Sequence, residues 1–306
     1  MVAHDKIILH HYDRSPFSEK VRLMLGLEGL AWRSVITPNI MPKPDLTPLT
    51  GGYRRAPVMQ IGADVFCDSQ VILAEIERRS PGPAGAAGPA YAVNIWADRL
   101  FFAATVPIIF GELGDKVPSE FIADRERLSG RPFDIAAMKA AGGASRGQWR
   151  AQASWIENAL ADGRSFLGGP AASVADIAAY MNVWFLTGAM PHVATELLAG
   201  FARLEGWRGR MAAIGHGRRT ELTGPEALEI ARTSSPAVIV ANDKDDPLGL
   251  APGDQVMVAA DDYGRDPIVG ALVAANAERV VIARDEAILG RLHLHFPRVG
   301  YRVEPG

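Results

Sequence analysis

Between residues 7 and 79 the apolar positions switch twice between the two-residue period of a strand and the 3.6-residue period of a helix. The pattern predicts a strand at 7–11, a helix at 18–30, an irregular loop at 37–55, strands at 58–61 and 64–67, and a helix at 69–79. Gly62-Ala63 is the turn between the last two strands, and a weakly alternating run at 32–36 adds a further strand after the first helix. The resulting β-α-β-loop-β-β-α order describes a compact α/β unit. Proline and glycine then dominate residues 81–89, which stops helices and offers little to pack, so this stretch reads as a linker.

Beyond the linker, residues 91–110, 146–162, 174–186 and 193–214 carry helical spacing without strand alternation, so 89–217 reads as all-helical. Pro107 interrupts the first of these segments, and Gly142-Gly143 separates a short helix at 134–141 from the next one. The tail changes character again. A short helix at 226–232, opened by Pro225, precedes β-branched runs at 237–241, 255–260, 268–275, 279–283, 291–296 and 301–304. The pattern therefore predicts three units: α/β at 1–81, all-helical at 89–217, and a small β-rich domain at 222–306. The last reads as barrel-like or sandwich-like, with Asp261-Asp262-Tyr263-Gly264 as a hairpin connection.

Composition narrows the classes. With 306 residues, 48% hydrophobic and 22% charged, the chain can bury substantial cores. A formal charge of -3 without a Lys/Arg cluster argues against nucleic acid as a partner. Asp5 and Lys6 before a three-residue apolar run do not make a signal-peptide core, and the apolar stretch 177–190 is too short to span a bilayer. The single cysteine, Cys67, excludes an internal disulfide and any multi-cysteine zinc site, and fits a reducing cytoplasm. At a strand end it reads as a small buried apolar residue.

Ser15-Pro16-Phe17-Ser18 lies between the first strand and the first helix. Two hydroxyls at a helix start sit where free N–H groups and the helix dipole favour a bound anion or a thiolate, although capping alone accounts for either one. No G-x-S-x-G elbow surrounds them, which argues against a hydrolase nucleophile. Ala56-Pro57-Val58 places a proline directly before a strand; a cis bond there would let Val58 offer its backbone to an extended peptide. Asp68-Ser69 opens the next helix. Besides capping, that helix start suits a ligand carboxylate while Asp68 suits an ammonium, the two charges of an amino-acid head group.

In combination, Ser15-Pro16-Phe17-Ser18 with Lys20-Val21-Arg22, Arg55-Ala56-Pro57-Val58 and Asp68-Ser69, followed by a linker and helices, resembles a cytosolic glutathione transferase of the serine type found in bacteria. The resemblance covers residues 6–217. It implies a thioredoxin-like first domain that binds glutathione and a helical second domain that lines the pocket for an apolar electrophile. Ser15 would meet the glutathione sulfur, with Ser18 next in line and Tyr12 third. Pro57 would be the cis-proline, Val58 would pair with the cysteinyl backbone, Asp68 and Ser69 would hold the γ-glutamyl end, and Arg55 would reach the glycyl carboxylate. It further implies glutathione as co-substrate with no metal, a cytoplasmic homodimer, and no nucleic-acid or membrane partner. Serine in place of cysteine disfavours mixed-disulfide chemistry and leaves conjugation, peroxide reduction and isomerisation. The competing reading is a non-catalytic scaffold of the same fold that uses its β-rich tail for protein interaction. The usual turn before the cis-proline is replaced here by Pro48-Leu49-Thr50-Gly51-Gly52-Tyr53-Arg54, and 222–306 lies outside the family's two-domain plan.

Three further features read as structural. Ser173 and Asp176 form an S-x-x-D capping box ahead of an apolar helix. Trp96, Phe101, Phe102 and Trp184 either pack the helical core or line a substrate pocket. His293 and His295 alternate on one strand and present a polar face, with no third residue to complete a metal site; His10 and His11 point to opposite faces.

Overall fold

The computed structural model describes residues 7–80, 87–239, 243 and 246–306. The first unit runs β1 (Ile7–His11), α1 (Pro16–Leu27), β2 (Ala31–Ile36), α2 (Thr47–Thr50), β3 (Val58–Ile61), β4 (Asp64–Cys67) and α3 (Ser69–Arg79). β1 pairs parallel with β2 and antiparallel with β3, which pairs antiparallel with β4. This is the expected thioredoxin-like order. β1 is buried at all five positions, as a central strand covered on both faces must be.

The helical unit contains α4 (Ala87–Trp96), a five-residue π-helical segment (Ala97–Phe101), α5 (Phe102–Leu113), α6 (Ser119–Ser129), α7 (Ile135–Ala140), α8 (Gly142–Ala159), α9 (Val174–Ala189), α10 (Pro191–Leu198) and α11 (Ala202–Ile214). Residues 193–214 are therefore two helices. Gly200, at φ 86°, turns the chain between them. The expected break between a short helix and the next one is present, at Ala141, and Gly142-Gly143 form the first turn of α8. The stretch Gly88–Lys116 is long and apolar enough to cross a bilayer, with a mean hydropathy of 1.4. It packs one side against α7, α8 and α9. Of the expected linker, residues 81–86 lie outside the described residues.

The tail is β-rich as expected, and differs from expectation in how its strands are arranged. β5 (Arg218–Glu221), α12 (Gly224–Arg232), β6 (Gln255–Ala260), β7 (Ile268–Ala275), β8 (Arg279–Glu286), β9 (Gly290–Pro297) and β10 (Tyr301–Pro305) close no barrel of their own. They extend the first unit's sheet into ten strands in the order β10-β6-β7-β8-β9-β4-β3-β1-β2-β5. β4 would otherwise end the sheet with a row of unpaired backbone groups, and β9 covers it in parallel, Asp64 opposite His293 and Phe66 opposite His295. β5 covers the other edge at β2. The run expected as a strand at 237–241 has none over 237–239, and 240–241 lie outside the described residues.

Asp64 and Phe66 of β4 both engage His295 of β9, and Asp64 also takes the chain that precedes the tail strands. Asp64 Oδ1 accepts from His295 Nε2 at 2.8 Å while Asp64 Oδ2 accepts from Ala237 N–H at 2.8 Å, and the Phe66 and His295 rings stack at 4.2 Å. His293 and His295 are thus buried beside Asp64 and form no exposed polar face. Leu49, Val58 and Val65 of the first unit share one hydrophobic core with Val256, Ile282, Leu294 and Phe296 of the tail. A second, larger core joins β1, α1 and α3 to the helical unit.

The expected capping box is present at α9, and its acid does more than cap. Fully buried Asp176 accepts from Ser173 N–H (3.1 Å) and hydroxyl (3.0 Å), Leu167 N–H (2.7 Å) and Trp207 Nε1–H (2.9 Å). Asp176→Ala strands these donors and should lower unfolding stability by about 3–5 kcal/mol. Asp176→Asn, which keeps one acceptor oxygen, should fall between the two in urea unfolding.

Glu75 on α3 has its side chain 2% exposed and takes Arg78 (2.5 Å), Arg79 (2.7 Å) and, from β8, Arg279 (3.3 Å). Burial alone would raise its pKa; the arginines overcome this and hold it at about 2. Its folded value lies below the unfolded one, so its stabilisation is complete above pH 4.5 and fades as pH falls toward 2. Glu75→Gln should cost about 2–3 kcal/mol at pH 7, discounting for the exposed Arg78 and Arg79, and almost nothing near pH 2. Urea unfolding of both proteins across that window measures the convergence.

Candidate functional site

The site begins at the start of α1. Ser15 adopts extended backbone (φ -76°, ψ 123°) and caps the helix, its Oγ accepting from Ser18 N–H at 3.1 Å, with Pro16 in the first turn where no N–H is needed. That bond uses a lone pair of Ser15 and leaves its proton free to be donated. Ser15 and Ser18 are buried, and the Ser18 hydroxyl has no partner among the described atoms. Tyr12 is half-buried at the end of β1.

A cavity lies beside this helix start. Phe17, Arg55, Pro57, Asp68 and Ser69 line it, so four of the residues expected to hold a ligand converge on one space. Ser15, Ser18 and Val58 are not in its wall. Val58 sits in the sheet opposite His10 and Cys67 and is fully buried. The Ala56-Pro57 bond is cis; Met41-Pro42 is cis as well, which the sequence pattern did not suggest. Cys67 is buried, and burial together with the Asp68 charge pushes its thiol pKa up, so it stays protonated and unreactive.

Asp68 joins β4 to α3. Among the described residues it is the one non-glycine with positive φ (103°), a region that side chains rarely enter and that native folds tolerate mainly where function depends on it. Its Oδ1 caps α3 through Gln70 N–H (2.8 Å), and its Oδ2 accepts from the Tyr301 hydroxyl (3.0 Å), which lies 3.2 Å from the Tyr53 hydroxyl. Arg55 Nη1 is 3.9 Å from Asp68 Oδ2.

The rest of the wall comes from places the sequence did not mark. Asp262, Tyr263, Gly300 and Tyr301 of the tail face the cavity. Arg55 donates through Nη2 to Asp262, and its guanidinium lies 4.0 Å from the centre of the Tyr263 ring. Burial raises the Tyr263 phenol to about 12 and pushes the Tyr301 phenol well above its ordinary value, so both are protonated at neutral pH. From the helical unit come Asp98 and Arg99, both on the π-helical segment, whose wider turn shifts the side chains that follow α4. Asp98 takes both of its oxygens to Lys20 Nζ at 2.7 Å, and Lys20 is fully buried. Asp261-Asp262-Tyr263-Gly264 reads correctly as a turn between strands, yet nothing in its pattern tells that it lies over Arg55.

As it stands, the cavity has a volume of about 50 Å³, room for a few waters. Chemically it presents a cation at Arg55, a carboxylate at Asp68 and a helix start at Ser69, a set suited to a zwitterionic ligand.

Comparison with known proteins agrees with this architecture. Family models for the glutathione S-transferase N-terminal and C-terminal domains match residues 9–84 and 122–210. No curated protein compared with the chain matches it. A GST-like protein from Pseudomonas syringae is 35% identical over 99% of this chain and 100% of its own, with a TM-score of 0.82. A glutathione S-transferase from Rhodospirillum rubrum (21% identity, 80% of this chain and 100% of that one, TM-score 0.53) shares the fold. So does a Tau class glutathione S-transferase from mango, Mangifera indica (16%, 69% and 90%, TM-score 0.53). With its two domain matches and a relative alike from end to end, the chain belongs to the glutathione S-transferase family.

Proposed function

We propose that the protein is a glutathione-dependent transferase that activates the glutathione thiol through a serine hydroxyl for attack on an apolar electrophile. The observation that carries this reading is the convergence of Arg55, Pro57, Asp68 and Ser69 on one cavity at the starts of α1 and α3. In this reading Asp68 receives the γ-glutamyl ammonium, the start of α3 with Ser69 receives the γ-glutamyl carboxylate, Val58 meets the cysteinyl backbone, and Arg55 faces the glycyl end.

A free thiol of pKa about 8.5 is mostly protonated at neutral pH, and a hydroxyl donor at a helix N-terminus favours the thiolate. In this reading Ser15, whose Oγ accepts from Ser18 N–H and so keeps its own proton to give, acts as a donor to sulfur and not as a nucleophile. Ser18, whose hydroxyl is unpartnered, is the second candidate. The electrophile would rest beside Phe102, whose ring lies 4.9 Å from Phe17 and 6.4 Å from Phe185. Phe101 is fully buried and belongs to the core. Conjugation of a detoxifying kind, peroxide reduction and isomerisation all use this thiolate; a cytoplasmic homodimer without a metal completes the proposal.

Immobilised glutathione should retain the full chain, and Ser69→Ala or Arg55→Ala should weaken retention. Absence of retention together with absence of turnover over a broad electrophile panel would sink the reading. Ser15→Ala should lower kcat on a reactive aryl halide by about 10–100-fold and raise the pKa of bound glutathione, read from thiolate absorbance against pH. Because the same change removes a helix cap worth about 1 kcal/mol, Ser15→Gly, which lacks the hydroxyl but costs the cap only a few tenths of a kcal/mol, separates the two: it should keep stability and still lose turnover. Should Ser18→Ala carry the whole effect and Ser15→Ala none, the donor is Ser18.

A further inference from the structure

The tail supplies Arg55 with a counter-ion before any ligand arrives. Asp262 Oδ1 accepts from Arg55 Nη2 and from Tyr263 N–H (2.7 Å), while the Tyr263 ring covers one face of the guanidinium. Gly264 allows this close seat: at φ 58°, a Cβ on it would stand 3.1 Å from Arg55 Nε and 3.0 Å from Leu128 Cδ1. The turn is clamped from three sides, by Gly264 N–H on Leu128 O (2.7 Å), Asp261 N–H on Gly300 O (3.0 Å) and Arg99 on Asp261 (2.6 Å). Asp262 is thus a fixed part of the wall and not a loose lid.

The charge pattern points the same way. Arg99 in the wall is tied to Asp261, so both cations that line the cavity already have an internal carboxylate, and Asp98 of the wall is matched by Lys20 buried behind it. A ligand carboxylate brought to Arg55 meets the Asp262 carboxylate on the same guanidinium, a like-charge approach that disfavours binding. An amide at that end meets no such repulsion, and its N–H can donate to Asp262.

We propose that Asp262 is a specificity-determining residue, occupying at Arg55 the place of a ligand carboxylate and turning the site toward a γ-glutamyl-cysteinyl peptide whose C-terminal carboxyl is masked as an amide. This rests on the glutathione reading above, with the C-terminal end of the peptide at Arg55. It goes beyond that reading by naming which form of the thiol peptide the site takes.

The test is calorimetric titration of the full chain and of Asp262→Asn with glutathione and with glutathione amide. Asparagine keeps the size of the side chain and the acceptor for Tyr263 N–H while removing the charge, and position 262 is a partly exposed turn (31%), so the fold is retained. The unaltered protein should bind the amide at least about tenfold more tightly than glutathione. Asp262→Asn should tighten glutathione about tenfold and shift the amide by less than about twofold. Equal affinities in the unaltered protein, a preference for glutathione, or a ratio that Asp262→Asn leaves unchanged would each overturn the assignment while leaving the glutathione reading intact. If neither peptide binds either protein, the glutathione reading fails and the assignment falls with it.

Discussion

The pairing of β9 with β4 is the constraint on which the shape of the site depends. It is fixed by one buried carboxylate: Asp64 holds His295 of β9 on one oxygen and Ala237 N–H on the other, in a setting where leaving any of these groups unpaired is expensive. Once β9 lies in that register, β10 follows beside β6 and carries Tyr301 to Asp68, and the β6–β7 turn is brought over Arg55. Without it, the cleft at the starts of α1 and α3 would face solvent on that side. The tail is therefore structural and part of the site at once: its strands extend the sheet and its turns close the wall.

Much of the first unit could be read from pattern alone, because its strands are short apolar runs bounded by turn residues. β1, β3 and β4 begin and end where the alternation does, and Ser15, Pro57 and Asp68 fall at the element starts where backbone groups are unsatisfied. The tail strands are equally visible one by one. Their destination is not, since an exposed edge and the strand that covers it are joined by backbone hydrogen bonds that leave no trace in side-chain type. β5 illustrates the limit: Arg218–Glu221 is exposed at every position and has no apolar period, yet it pairs because β2 offers an edge. The π-helical segment is hidden for a related reason, as its apolar positions read like ordinary helix while its backbone register brings Asp98 and Arg99 to the cavity.

Electrostatics at the cavity are matched within the protein. Lys20 is fully buried on α1 and tolerable there because Asp98 and Asn94 take its three donors. The same pair joins the first unit to the helical one at the edge of the site, so charge pairing also ties two layers together where the ligand space opens. Asp68 is placed differently: its backbone sits in a conformation unfavourable for a side chain, held by the cap on Gln70 and by Tyr301. Strain of this kind persists where the surrounding contacts over-determine it, and here those contacts come from both ends of the chain.

The late arrival of β9 bears on how the protein is made. Asp64 and His295 are 231 residues apart, so during synthesis β4 is complete long before its neighbour exists. Through that interval the nascent first unit and the helical unit can form while a strand edge rich in unpaired N–H and C=O groups stands open, the kind of surface that recruits other chains. The charged Asp64 at the head of β4 acts as a gatekeeper during this wait, since a carboxylate on an open edge discourages pairing with an unrelated strand. The residue that later locks the finished sheet thus also guards the unfinished one.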